Sequence, residues 1–283
     1  MSSAHRNHPL VLHTPCPALR SHVDHFWHLR CGPHQSHSRE RILPTTATEL
    51  VIDLRDDSDL PDWTMVIGPH AGFFSIATDV RADAVGIHFR PGGAYALSRT
   101  PALHLRDTFV VPEDVFGAKI IRLLRSRLLP LTEPMDRFNI LEDFLLQCLD
   151  AGPPKSHPAV AMATAAFRQQ PDGPTVTEVA RSTGYSSTHL VTLFRREIGI
   201  APKLFCRIQR FRHALRQIEE QNSTLRWADL AFDCGYSDQA HMVREFREFS
   251  GYSPTSFVAR RTSLVGHLRE DCVSQSAPSL LSI

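Results

Sequence analysis

No apolar run in the 283 residues approaches the length that a bilayer-spanning helix needs, so no membrane partner is expected. The first residues, MSSAHRNHPLVLHTPCP, lack a charged start followed by a continuous apolar stretch. That argues against a secretory leader and predicts a cytoplasmic protein. The six cysteines, at 16, 31, 148, 206, 234 and 272, form no CxxC pair and show no metal-ligand spacing. They are expected to be ordinary buried thiols in a reducing compartment. A phosphate-binding P-loop, a nucleophile–base motif and a paired-carboxylate motif are all missing, so no enzyme activity, cofactor or metal site is expected. A strong charge of one sign is missing too, since the net charge is only +1. That value hides an asymmetry. Residues 1–150 hold 15 Lys/Arg against 18 Asp/Glu, whereas residues 151–262 hold 15 against 10, so the basic half is the C-terminal one.

What the chain does have is one pattern written twice. The first copy places Val179 and Ala180 before Gly184, Tyr185 and Ser186, then Phe194 and Gly199; the second places Leu230 and Ala231 before Gly235, Tyr236 and Ser237, then Phe246 and Gly251. An apolar residue beside a small one lets a second helix cross closely. The glycine suits the left-handed position that ends a first helix. The aromatic can plug the corner, as core rather than as a base-stacking group, and Trp227 is read the same way. Ser186 and Ser237 stand where an N-cap belongs. A second helix follows, whose outer face suits a DNA major groove. Cys234, just before the turn glycine, is expected to be buried filler.

With 42% hydrophobic residues the chain can build real cores, and its length argues for two domains. Residues 1–116 read as β-rich, with apolar or β-branched runs at Phe26–Leu29, Leu50–Leu54, Thr64–Ile67, Phe73–Ile76 and Ala84–Phe89 separated by polar turns. This predicts a compact sandwich or small barrel. Pro91-Gly92-Gly93 turns the last strand into a short helix over 94–100. Helical periodicity then predicts Val115–Leu129, with Phe116, Ile120, Leu123, Leu124 and Leu128 on its apolar face, and Met135–Leu149. Residues 151–157, rich in Gly and Pro, read as a linker. Helices are expected near 157–169, 175–183, 187–198, 201–219, 226–234, 238–250 and 254–262, and a Ser-rich disordered tail over 263–283.

The segments TVTEVARSTGYSSTHLVTLFRREIGIAPKLFCRIQRFRHAL (175–215) and WADLAFDCGYSDQAHMVREFREFSGYSPTSF (227–257) resemble the DNA-binding domain of AraC/XylS-type transcription regulators over about 158–262. HFW at 25–27, RILP at 41–44, VIGP at 66–69 and HFRPGGAYAL at 88–97 resemble a sensor-type domain often found before it. The resemblance implies an α+β chain: a cupin-like β-barrel with flanking helices over 1–150, and an all-α double helix-turn-helix domain. It implies a sequence-specific regulator of double-stranded DNA that contacts RNA polymerase. A small-molecule effector of unknown identity and a homodimer go with that architecture. In the first recognition helix it puts Thr188, Val191 and Thr192 at base-facing positions, short side chains suited to thymine methyls, with Arg195 and Arg196 meeting phosphates. In the second it puts Gln239, Ala240, Val243 and Arg244 at or beside base-facing positions, Arg244 being suited to a guanine edge.

A rival reading is a DNA-associated or metal-dependent enzyme carrying the same module, which would need a ligand cluster. His22, His25 and His28 cannot share one face of a strand at three-residue spacing, and are read as scattered and solvated, like His34, His37, His88 and His104. Cys16 and Cys31 could form a redox switch only if close in space. Arg90 and the Gly92-Gly93 turn could hold an anion, but a plain strand-to-helix turn is the simpler reading.

Overall fold

The computed structural model describes residues 10–31, 39–55, 63–77, 82–98, 100–152, 156–169, 173–220, 226–262 and 266–269. The N-terminal half is built on strands β1 (Leu10–His13), β2 (Val23–Cys31), β3 (Arg39–Ile42), β4 (Glu49–Asp53), β5 (Met65–Ile67), β6 (Phe74–Ala77), β7 (Ala82–Phe89) and β8 (Phe109–Val110). Six of them form one antiparallel sheet in the order β1-β2-β7-β4-β5-β8. Its inner face is apolar: Phe26, Leu50, Ile52, Val66, Val85, Ile87 and Phe89 are almost completely buried. All five strands read from the sequence are present. The hydrogen-bonded order runs from β1 to β8 without joining those two ends.

Helices cover this sheet: α1 (Gly93–Ser98), a short 3-10 helix (Ala102–Leu105), α2 (Pro112–Phe116), α3 (Ala118–Leu128) and α4 (Pro134–Asp150). One helix was expected over Val115–Leu129, but Gly117 breaks it, with φ at +92°, a backbone state open to glycine. The restart turns the apolar face. Ile121, Leu124 and Leu128 are buried, while Ile120 and Leu123 are 47% and 57% exposed. In α4, Phe138, Leu141, Phe144 and Leu145 are buried, Phe138 against Phe26 of β2 and Phe144 against Phe116 of α2.

Arg137 fastens α4 to the sheet. It is buried, and its Nη1 donates to Asp83 Oδ1 at 2.6 Å and to His28 Nε2 at 2.6 Å. Its Nε and Nη2 donate to the Leu131 carbonyl at 3.0 and 2.7 Å, and Arg30 donates to Asp83 Oδ2 at 2.7 Å. His28 is therefore not a solvated histidine as expected. Its Nε2 lies between Arg137 Nη1 and Asp83 Oδ1, at 2.6 and 3.1 Å, and burial holds its pKa below the ordinary 6.5. His34 and His37 lie outside the described residues. Among the described residues no three His, Cys, Asp or Glu side chains are grouped as metal ligands, and no helix is long and apolar enough to cross a membrane.

The C-terminal half is helical: α5 (Pro158–Gln169), α6 (Val176–Ser182), α7 (Ser187–Ile198), α8 (Pro202–Glu220), α9 (Trp227–Asp233), α10 (Gln239–Ser250) and α11 (Pro254–Arg260). A last strand, β9 (His267–Arg269), follows. It lies within the stretch expected to be a disordered tail; residues 270–283 lie outside the described ones. β9 pairs antiparallel with β3, Glu40 opposite Arg269, Arg41 opposite Leu268 and Ile42 opposite His267. The result is a second sheet, β6-β3-β9, that draws strands from both ends of the chain. Leu268 is fully buried, which is why so short a segment is held. Leu268 and Leu43 both belong to the core of the helical half, and Phe73 packs against it. Linker residues 153–155 lie outside the described residues.

Candidate nucleic-acid interface

Each helix-turn-helix is assembled by its local sequence. In the first, Thr175 caps α6 by accepting from Glu178 N, and the Glu178 carboxylate accepts from Thr175 N at 2.7 Å, a reciprocal capping box. Gly184 takes φ of +76° to end α6, and Tyr185 N donates back to Ala180 O at 3.0 Å. Ser186 then caps α7 by accepting from His189 N at 3.2 Å. The second copy repeats this with Gly235 at φ +73° and Tyr236 N donating to Ala231 O at 2.9 Å. It departs in one place. The cap of α10 is Asp238, accepting from His241 N at 2.6 Å, and not Ser237 as expected. This copy is one residue longer, so the capping position moves on by one, and the hydrogen bond from His241 N holds the Asp238 carboxyl below its ordinary pKa.

The helix α8 joins the two copies and anchors both. Its 19 residues span about 28 Å at ~1.5 Å each. Phe205 meets Phe194 of α7 edge-on at 5.3 Å, and Phe211 meets Phe246 and Phe249 of α10 at 5.0 and 5.3 Å. Leu190, Phe194 and Ile198 form the buried side of α7, and Met242, Phe246 and Phe249 that of α10.

The opposite sides carry the residues singled out in the sequence. On α7, Thr188, Thr192 and Arg195 are exposed and Val191 is half-buried, one stripe at helical spacing. Thr192 Oγ1 donates to Thr188 O at 3.0 Å, so its hydroxyl hydrogen is engaged and its methyl is left for apolar contact. On α10, Gln239, Ala240 and Arg244 are exposed and Val243 is half-buried. Beneath them Arg207 of α8 donates to the buried Glu245 at 2.6 Å and also pairs with Glu248, which pins the inner flank of α10. Arg196 is exposed as well. Its guanidinium lies 5.7 Å from the Tyr95 ring centroid, toward the N-terminal half rather than along the stripe of Arg195.

Tyr236 is buried as expected, and burial raises its phenol pKa. Cys234 is fully buried and its thiol is pushed up to about 11, inert filler. Trp227 is half-buried against the core. Tyr185, expected in the core, is 39% exposed. It stacks on His189 at 4.9 Å, and its hydroxyl lies 3.3 Å from His157 Nε2. Arg210 of α8 lies over the Tyr236 ring, whereas Tyr185 packs against the half-buried His157 and the exposed His189. Sequence reasoning also missed Glu197. It is 3% exposed, burial raises its pKa, and it accepts from His157 N at 3.0 Å, tying the start of α5 to the end of α7. A glutamate amid helix-face arginines gives no sequence signal of burial.

Residues 175–260 match the family described as "Helix-turn-helix domain", and residues 12–111 match one described as "Domain of unknown function (DUF6597)". No curated protein matches the chain. Among solved structures, the C-terminal domain of AraT, a response regulator from Geobacillus stearothermophilus, is 22% identical, over 38% of this chain and 90% of that one, at TM-score 0.35. The DNA-binding domain of AdpA, a global transcriptional factor solved in complex with a target DNA, is 24% identical, over 37% and 92%, at TM-score 0.33. ToxT from Vibrio cholerae is 8% identical, over 88% and 96%, at TM-score 0.39. At such TM-scores the likenesses carry no weight beyond the domain match and the residues themselves.

Proposed function

We propose that the chain is a DNA-binding transcription regulator whose helix-turn-helix domain over residues 175–260 is of the AraC/XylS type, and that it reads two successive major grooves with α7 and α10. The observation that supports this best is the pair of outward stripes, 188/191/192/195 and 239/240/244, exposed except for the half-buried Val191, each on a helix whose other side is locked to α8. A span of about 28 Å for α8 suits grooves about 34 Å apart once the duplex bends modestly. Thr188, Val191 and Thr192 meet thymine methyls, Arg244 reads a guanine edge, Gln239 reads adenine, and Arg195 meets phosphate. The test uses a duplex selected from a random pool by the full-length chain. Arg244→Ala and Arg195→Ala should each weaken binding to it; unchanged affinity and an unchanged salt dependence in both would sink the assignment.

The N-terminal half is the effector-responsive part of this reading: a small molecule bound there shifts the balance between orientations of the DNA-binding modules. A second copy of the chain is the partner for Ile120 and Leu123 on α3, with Leu129 and Met135 beside them, all of which are exposed. RNA polymerase is the partner for the outer side of α9, where Phe232 is 81% exposed. A cytoplasmic location goes with these roles.

A further inference from the structure

Both recognition helices end on a left-handed glycine, Gly199 at φ +89° and Gly251 at φ +75°. Both glycines are where the N-terminal half touches the DNA-binding half. A Cβ on Gly199 would lie 2.6 Å from Pro69 Cγ and 2.7 Å from the Ala102 carbonyl oxygen. A Cβ on Gly251 would run into the Arg41 guanidinium and lie 3.1 Å from the Phe73 ring. The N-terminal half therefore holds each helix by its C-terminal end. Thr188 and Gln239 lie near the opposite ends, which stay open.

This second hold acts on the helix ends, beyond the contacts that α8 makes. The aromatic contacts of α8 centre on Phe194 of α7 and on Phe246 and Phe249 of α10. A small tilt of either helix would turn about these contacts. Gly199 lies about 7.5 Å beyond Phe194 and Thr188 about 9 Å before it, so a displacement at the capped end reappears, slightly enlarged and reversed, at the reading end. Hydrogen bonds to bases fail over a few tenths of an ångström.

Arg41 is built to stop that tilt in α10. It is 5% exposed, sits 4.3 Å from the Phe73 ring centroid and 4.4 Å from that of Tyr252, and its Nη1 donates to the Ser250 carbonyl at 3.1 Å. That carbonyl belongs to the last residue of α10, where the helix end carries partial negative charge. Strand β3, which carries Arg41, is itself held by β9 and by Glu40, whose carboxylate lies 2.7 Å from His267 Nδ1. The geometry points to the N-terminal half as a second strut, additional to α8, that fixes the separation and phase of the two recognition helices, with Arg41 as its positioning residue at α10 and Pro69 as its counterpart at α7.

This rests on the two-groove reading above, and the test separates the two. The probe is the duplex that the full-length chain enriches from a random pool, together with versions carrying one base pair inserted between the two contacted grooves. Such an insertion shifts one groove by about 3.4 Å and turns it by about 34°. The wild-type chain should lose tenfold or more in affinity. Arg41→Lys keeps the charge but not the planar stacking. It should show a penalty below threefold, with unchanged affinity for a duplex in which one groove site is scrambled. Pro69→Ala makes the same measurement at the other cap, and decides the matter if Arg41→Lys fails to fold. A tenfold penalty retained in the folded variants overturns the strut while leaving the DNA reading intact. A full-length chain that enriches no duplex overturns both.

Discussion

Among the arginines of the helical half, surroundings and not residue type separate the readers from the fasteners. Arg244 is exposed and points away from the core; Arg207, on α8, is spent on Glu245 and Glu248. Replacing Arg244 with Ala should cost about 1–3 kcal/mol of discrimination at a single base pair and leave the other positions alone. The check is competition binding against duplexes substituted one position at a time; a uniform loss would show a phosphate contact instead. Arg195 and Arg196, adjacent in sequence, should separate. Arg195→Ala lowers the slope of log affinity against log salt by about one, and Arg196→Ala leaves it unchanged, because its guanidinium faces Tyr95. Equal slopes for the two variants would return Arg196 to the DNA. Sequence spacing puts both on the outside of α7, but it cannot tell which exposed residue meets a neighbouring part of the same chain.

At the level of single elements, what the sequence made legible is what is coded locally. The turns of both helix-turn-helix copies follow from a glycine, a small residue and a cap within a few positions. The five strong strands follow from β-branched and aromatic runs. What escaped depends on distant partners. β3, with two arginines and a glutamate in its four residues, is a strand only because β6 and β9 flank it. The burial of His28 depends on Arg137 arriving from α4, over a hundred residues later. That junction makes a pH prediction. Burial holds the folded-state pKa of His28 below 6.5, so the unfolded chain takes up the proton first as the medium acidifies. The stability it contributes is complete above the ordinary imidazole pKa and is lost as pH falls through that value. Between about pH 7.5 and 5.5 the urea midpoint of the wild type should therefore fall further than that of His28→Gln, which keeps an acceptor for Arg137 but cannot titrate. Parallel falls in the two proteins would remove His28 as the cause.

For the whole molecule, the two halves share a core. Leu43 from the N-terminal half and Leu268 from beyond the last helix complete the hydrophobic interior of the DNA-binding half, and Gln209 of α8 donates to Thr46 at 2.8 Å. Burial of each large apolar side chain is worth about 1.5–3 kcal/mol. A fragment of residues 156–262 lacks both leucines and should unfold at distinctly lower urea than the full chain. Equal midpoints would show that the shared interior contributes nothing. The same arrangement reaches into biosynthesis. Glu40 meets His267 across 227 residues of sequence, and a ribosome adding about 5–20 residues per second needs roughly 10–45 s to cover that distance. Throughout that interval β3 shows a bare backbone edge, the kind of surface on which nascent chains stick to one another. Transcripts cut short before codon 267 would leave that edge open for good, so this gene should tolerate late nonsense mutations poorly, its shortened products reaching inclusion bodies more readily than operators.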